Sequence, residues 1–414
     1  MTARMEKDTM DRTQVNNFIG ILRTALGNGQ VPLEHPDWDK LAEWADLQSM
    51  TALFYTGASQ YQEFAQWDGT KRQKLQRETI AGVVAQSTRT ELFLDVYRSL
   101  LEKGQKPLVL KGVVVRQLYG ELSDYRPSCD EDLYVRPEKA IPCRRELENL
   151  GFRITVPEDE RKLSDPFQEV SLDHSSGMLH VELHPNFFER SREDLRLSNH
   201  YYQKAHDTAV PINTGGTTLW TLDETHHFLY LFLHLAKHFK GAGVGLKQMV
   251  DLLVADRAWR DKICWKYIKQ AVEKLHCGKL YGAVLAVGRD LGFAPTELFP
   301  PQDPAHLLED SLEGGVYGHS GPSRTYGSII TEAAVDTGEK TSVLKAIFPS
   351  YDYMVRGWEA LRKNPWLLPV GYIKRFYRVL VSRKQGKEAL IAIQKGQERT
   401  KLLQEYGILP GKRR

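Results

Sequence analysis

From Val15 to Glu102 the apolar residues recur at helical spacing. In NNFIGILRTAL, Phe18, Ile21, Leu22 and Leu26 fall on one helical face. DWDKLAEWADLQSMTALFY and TRTELFLDVYRSLLEKG repeat that spacing, and Gly104 ends the second of them. The texture then changes. KPLVLKG is a short apolar run closed by Lys111-Gly112, and VVVRQLYGEL has helical character. DEDLYV reads as a strand stopped by Pro137, and PEKAIPCRRELENLGFRIT as a helix followed by a strand. FQEVSLDH and GMLHVELHP alternate apolar and polar residues across a Ser-Ser-Gly turn, as the strands of a hairpin do. From Thr221 the helical period returns. TLDE (Thr221–Glu224) predicts a capping box, then come the apolar-rich THHFLYLFLHLAKHF, a Gly-rich break and the helix LKQMVDLLVADRAW. The pattern predicts an α+β protein with a small sheet embedded between helical regions. Its expected units are a helical region 1–104, an α/β core 105–215, a helical domain 216–312, a Gly-rich loop 313–340 and a basic helical tail 341–414.

Composition changes this picture little. Of the 414 residues, 41% are hydrophobic and 26% charged, as in ordinary globular proteins. No apolar run reaches the roughly 18 residues a membrane span needs. The polar N-terminus carries no signal-peptide pattern, and the four cysteines contain no C-x-x-C pair. A cytoplasmic protein without a thiolate zinc site is expected. Charge is uneven: residues 341–414 hold 16 Lys/Arg against 5 Asp/Glu, a net +11, within a chain of net +3. Such a tail can hold an acidic partner, or can simply be a solvated helical surface.

The chemistry concentrates around CDEDLYV. Strand alternation puts Asp130, Asp132 and Tyr134 on one face and Glu131, Leu133 and Val135 on the other. Two carboxylates about 7 Å apart repel each other unless a cation lies between them, and Mg²⁺ accepts one or two carboxylates together with substrate phosphates. Upstream, Lys111-Gly112 turns a strand into a helix. Gly112 permits close backbone approach, Lys111 adds charge, and the first helical N–H groups are expected to face an anion. Downstream, Glu182 faces away from Val181 and Leu183; if its strand lies beside DEDLYV, three carboxylates converge. His184 shares that face and can orient a carboxylate or cap the strand end. Glu131 points to the packed side, where an unpaired carboxylate would cost several kcal/mol. It therefore demands a Lys, Arg or His partner, or an open edge.

In the helical domain His227, Leu231, His234 and His238 form one stripe, with His226, Tyr230, Leu233 and Lys237 beside it. His234 and His238 at i, i+4 would suit zinc, but the H-E-x-x-H glutamate is absent. A polar cleft wall or buried hydrogen-bond anchors are the alternatives. Arg126 can clamp a phosphate or form a loop-to-body salt bridge. Lys237 and Lys247 are candidate triphosphate contacts; Lys247 also has Asp251 at i+4 for an ion pair.

The order LKG, R…DEDLYV, VELH between helices resembles the uncharacterised nucleotidyltransferase family of the DNA polymerase β-like superfamily. The DW…L entry, the His-rich helix and FPSYDYM…WLLPVGYIKRFYR extend the resemblance over most of the chain. The sequence departs from the superfamily in its Lys-Gly turn, where Gly-Ser or Gly-Gly is usual, and in Glu131, where an apolar residue is usual. The resemblance implies a small mixed-sheet core and transfer of an NMP, AMP by preference, from an NTP to an acceptor hydroxyl, with pyrophosphate released. Mg²⁺ or Mn²⁺ would be held by Asp130, Asp132 and Glu182. The nucleotide would lie against Lys111, Gly112, Arg126, Lys237 and Lys247, with His184, His234 and His238 in support. The acceptor (a small molecule, a protein or peptide, or RNA) stays open. So do two other readings: a non-catalytic nucleotide sensor, and a metal-dependent hydrolase using the His-rich helix.

Overall fold

The computed structural model describes residues 11–155, 164–189, 193–315, 351, 354, 358, 361, 364–373 and 398–409. Five helices come first: α1 (Arg12–Ala25), α2 (Trp38–Leu47), α3 (Thr51–Ala58), α4 (Gln62–Ala65) and α5 (Gly69–Glu102). The spacing that predicts α1 buries Phe18, Ile21 and Leu22 completely. The segment read as a helix from Thr88 is the second half of the 34-residue α5. That half is the packed one: Phe93, Leu94, Val96, Tyr97 and Leu100 are buried, while Ile80 and Val84 are exposed.

The α/β part contains β1 (Leu108–Val109), α6 (Gly112–Gln117), β2 (Asp130–Tyr134), α7 (Pro137–Asn149) and β3 (Phe152–Ile154). It continues through β4 (Val170–His174), β5 (His180–His184), α8 (Glu193–Asn199), β6 (Val210–Thr214) and β7 (Thr217–Thr221). All seven strands join one mixed sheet in the order β3-β4-β5-β2-β1-β7-β6. β2 runs parallel to β5, and β1 parallel to β7; the other pairs are antiparallel. The expected hairpin across Ser175–Gly177 is the β4–β5 pair. The β6–β7 hairpin straddles residue 215 and has no counterpart in the sequence reading. Its turn, Gly215-Gly216, has φ of 53° and 75°, the left-handed backbone a tight hairpin turn demands.

Four helices follow in close succession, α9 (Glu224–Lys240), α10 (Leu246–Trp259), α11 (Trp265–Lys274) and α12 (Gly278–Asp290), and then α13 (Ala305–Gly314). The capping box expected at Thr221 does not form. Thr221 ends β7, and its hydroxyl donates to Val109 O (2.5 Å). The N-cap is Asp223, whose carboxylate accepts from Thr225 and His226 N–H. The strand ladder claims the threonine, so the cap falls to the next side chain able to accept.

Two cores flank the sheet. On one side Val109, Leu133, Val181, Leu183, Leu172 and Leu219 pack against the second half of α5 and against α7. The other core joins the N-terminal helices to α9–α13. The Gly-rich segment, beyond its first residues, and most of the basic tail lie outside the described residues. Within the described part of the tail, Arg399 pairs with Asp310 and donates to Phe239 O. At least that cation serves the protein's own packing.

Candidate active site

Register brings the acidic residues together. β2 and β5 lie parallel with Asp132 opposite Glu182, so Asp130, Asp132, Glu182 and His184 share the sheet face turned toward α9 and α10. A cavity of about 320 Å³ opens there, a size that suits a small-molecule site. All eleven predicted site residues, from Lys111 to Lys247, line it.

Asp132 is the centre. It is 1% exposed and sits between two cations. Lys111 Nζ lies 2.8 Å from Oδ2, and His184 Nε2 lies 2.9 Å from Oδ1. Burial alone would raise the pKa of Asp132, but Lys111 and His184 outweigh it and hold this carboxyl well below the ordinary range. His184 is bracketed by acids: beyond Asp132, Glu169 lies 3.1 Å from Nδ1 and Glu182 lies 3.4 Å from Nε2. Burial opposes its charge, yet the three carboxylates keep it protonated well above the usual histidine range. Glu169 is a site residue the sequence reading misses. Val170 pairs with Leu183, which puts Glu169 beside His184, but that follows only once the antiparallel register is known.

A divalent cation fits this set. Asp132 Oδ2 is buried against the Lys111 ammonium, 2.8 Å away. Ligand atoms of Asp132, Glu182 and His184 all lie within 4.8 Å of one another. His184 thus takes the place in the compact group that the sequence reading gives to Asp130. Asp130 lines the cavity beside them, and its carboxylate accepts no hydrogen bond from a described residue.

Behind the face lies the answer to Glu131. This residue is fully buried, accepts from Val113 N–H (2.9 Å) and pairs with Arg116 (2.9 Å), itself 2% exposed. Arg116 also donates to Thr90 on α5 (3.1 Å). Glu131 therefore ties β2, α6 and α5 together. This corrects one expectation. Two of the helix N–H groups expected to face an anion are already engaged, Val113 with Glu131 and Val114 with Lys111 O. Lys111 and Gly112 remain on the cavity wall.

The basic wall also differs in detail. Arg126 makes the loop-to-body salt bridge: its Nε and Nη2 reach Asp251 at 2.9 and 2.6 Å, and Tyr119 donates to the same carboxylate. Lys247 therefore does not take Asp251 as its hydrogen-bond partner; it donates to Pro127 O (2.7 Å). Burial, then the positive charge of Arg126, pushes Lys247 down to about 8. Lys237 pairs with the half-exposed Glu189 (3.1 Å).

The histidine stripe divides. His227 is fully buried against the Trp259 ring and within 3.2 Å of Thr221 Oγ1. His234 and His238 line the cavity with their Nε2 atoms 3.3 Å apart, and Lys111 Nζ lies 3.1 Å from His234 Nε2. An ammonium pressed on that imidazole opposes a cation held by the pair.

The family described as uncharacterised nucleotidyltransferase matches residues 34–291, more than half of the chain. No curated protein and no solved structure matches it. The matched span includes the whole sheet, every residue of the acidic group and both helices, α9 and α10, that wall the cavity. The chain therefore belongs to the uncharacterised nucleotidyltransferase family, and its chemistry is transfer of a phosphorus-containing group.

Proposed function

We propose that this protein moves a nucleoside monophosphate, AMP by preference, from an NTP to an acceptor hydroxyl and releases pyrophosphate. The observation that carries the reading is the register of Asp132 against Glu182, which sets a compact acidic group at one side of a cavity whose other walls supply Lys111, Lys237 and Lys247. Asp132 and Glu182, with Asp130 beside them, would hold Mg²⁺ or Mn²⁺, and His184 would join them only by giving up its proton as the ion binds. Such an ion, when bound, acidifies a hydroxyl and neutralises phosphate charge. Glu169 fixes the His184 ring, as carboxylates do for metal-site histidines. Lys111, Lys237 and Lys247 offset the charge of the triphosphate and of the leaving pyrophosphate. Arg126, held by Asp251, adds positive potential without moving.

The test is incubation with α-³²P-labelled NTPs and a cell extract, followed by separation of protein, RNA and small molecules. Label should transfer with the wild type. It should fall by about 10²-fold or more with Asp132→Asn and with the less buried Glu182→Gln, while circular dichroism stays unchanged. Undiminished transfer in both variants would sink the assignment. A second reading rests on Lys111 and His184, which neutralise Asp132 without a metal: a nucleotide-binding sensor. It would show ATP binding with no pyrophosphate released across acceptors.

A further inference from the structure

A second cavity, of about 250 Å³, lies at the other end of β2, lined by Lys106, Arg136, Lys139 and His206 together with Val135 and Gln105. Three of the five polar side chains are cations. Lys106 sits 2.9 Å from the centroid of the Trp220 ring, which fixes its position without neutralising it. Arg136 pairs with Asp207 (2.9 Å), but both are about half exposed, where such a pair is weak. Lys139 has no acidic partner among the described residues. The cavity also adjoins the first turn of the 13-residue α7, the positive end of that helix. Asp207 and Glu138 offset part of this potential, leaving the cations in excess. Burial, then the charges of Arg136 and Lys106, pushes His206 down to about 4, and its buried Nε2 has no hydrogen-bond partner.

This cavity backs onto the first. Arg136 lies four residues beyond Asp132, about 13 Å by strand rise. The His206 ring packs 5.3 Å from Tyr134, and the Tyr134 ring 4.0 Å from Phe187, which lines the larger cavity. An aromatic wall separates the two spaces, so an occupant of one is not an extension of the other. A compact space with three cations and one unpartnered imidazole suits a compact dianion better than a single carboxylate.

We infer that this second cavity binds the phosphate group of a small ligand, as free phosphate or as a phosphate monoester, at a site distinct from the acidic one. The inference does not rest on the nucleotidyl-transfer reading, because its readout is binding. The test is calorimetric titration of the full chain with inorganic phosphate and, separately, with glycerol 3-phosphate. At least one probe should bind saturably, with Kd near about 1 mM. Affinity should fall about tenfold or more in the Arg136→Gln/Lys139→Gln double variant. Both substituted side chains of the double variant are exposed, so its thermal unfolding should match the wild type. Tighter binding of the ester assigns the site to a phosphorylated metabolite; tighter binding of the free ion assigns it to phosphate itself. Absence of saturable binding, or binding that the double variant leaves intact, overturns the inference.

Discussion

Glu131 stands one position from the candidate metal ligand and does the opposite work. Its carboxylate is sealed among apolar residues and balanced by Arg116 and the Val113 N–H. Removing one partner of such a pair leaves a buried charge uncompensated, so Glu131→Ala or Arg116→Ala should each destabilise the fold by about 3–5 kcal/mol. Urea denaturation measures this directly. The double variant Arg116→Met/Glu131→Leu should recover much of the loss, since apolar replacements remove both charges together. Non-additivity in the cycle closed by the Glu131→Ala/Arg116→Ala double variant distinguishes a pair from two unrelated sites. The need for a partner at Glu131 is legible in the sequence, because alternation turns the residue inward. The partner's identity is not: Arg116 reaches it only through the rotation of α6, which no local pattern states. Glu169 was hidden for a related reason, since its neighbour His184 is set by register across a hairpin.

The elements were legible where a period is long and unopposed, as in α1, α5, α9 and the β4–β5 hairpin. They were misread where tertiary pairing claimed a residue with strong local preference. Thr221 looks like a cap and serves a strand. The β6–β7 hairpin carries its signal in Gly215-Gly216, but its first strand packs shallowly, with Val210, Ile212 and Thr214 only half buried. The turn at Gly112 makes the same point from the other direction. Its glycine reads as a phosphate device, yet a Cβ there would lie 1.8 Å from Glu131 Oε2, and φ is +48°. The immediate reason for glycine is thus the carboxylate packed against the turn. Gly112→Ala should cost about 2–4 kcal/mol, combining left-handed strain with overpacking. Thermal unfolding would report it. Gly112→Ala in a Glu131→Ala background should cost much less, because only the backbone term remains.

At the scale of the molecule, the cavity is an electrostatic object assembled from distant parts of the chain. Its acids come from β2, β5, the residue before β4 and α10. Its cations come from the β1–α6 turn, the loop before β2, α9 and α10. Lys247 on α10 shows the consequence, because it shares the wall with Arg126, Asp251 and Asp130. With its pKa near about 8, Lys247 is mostly charged at neutral pH and loses the proton just above it. A bound triphosphate favours the charged form, so binding raises this pKa and is linked to proton uptake. Affinity for a non-hydrolysable ATP analogue should be greatest below pH 8. It should then fall as pH rises, by at most about tenfold per pH unit, until the pKa of the bound state is passed. Lys247→Arg keeps the charge throughout, so its affinity should stay flat over the same range. A decline of equal slope in that variant would assign the titration to another group and remove Lys247 from the nucleotide wall.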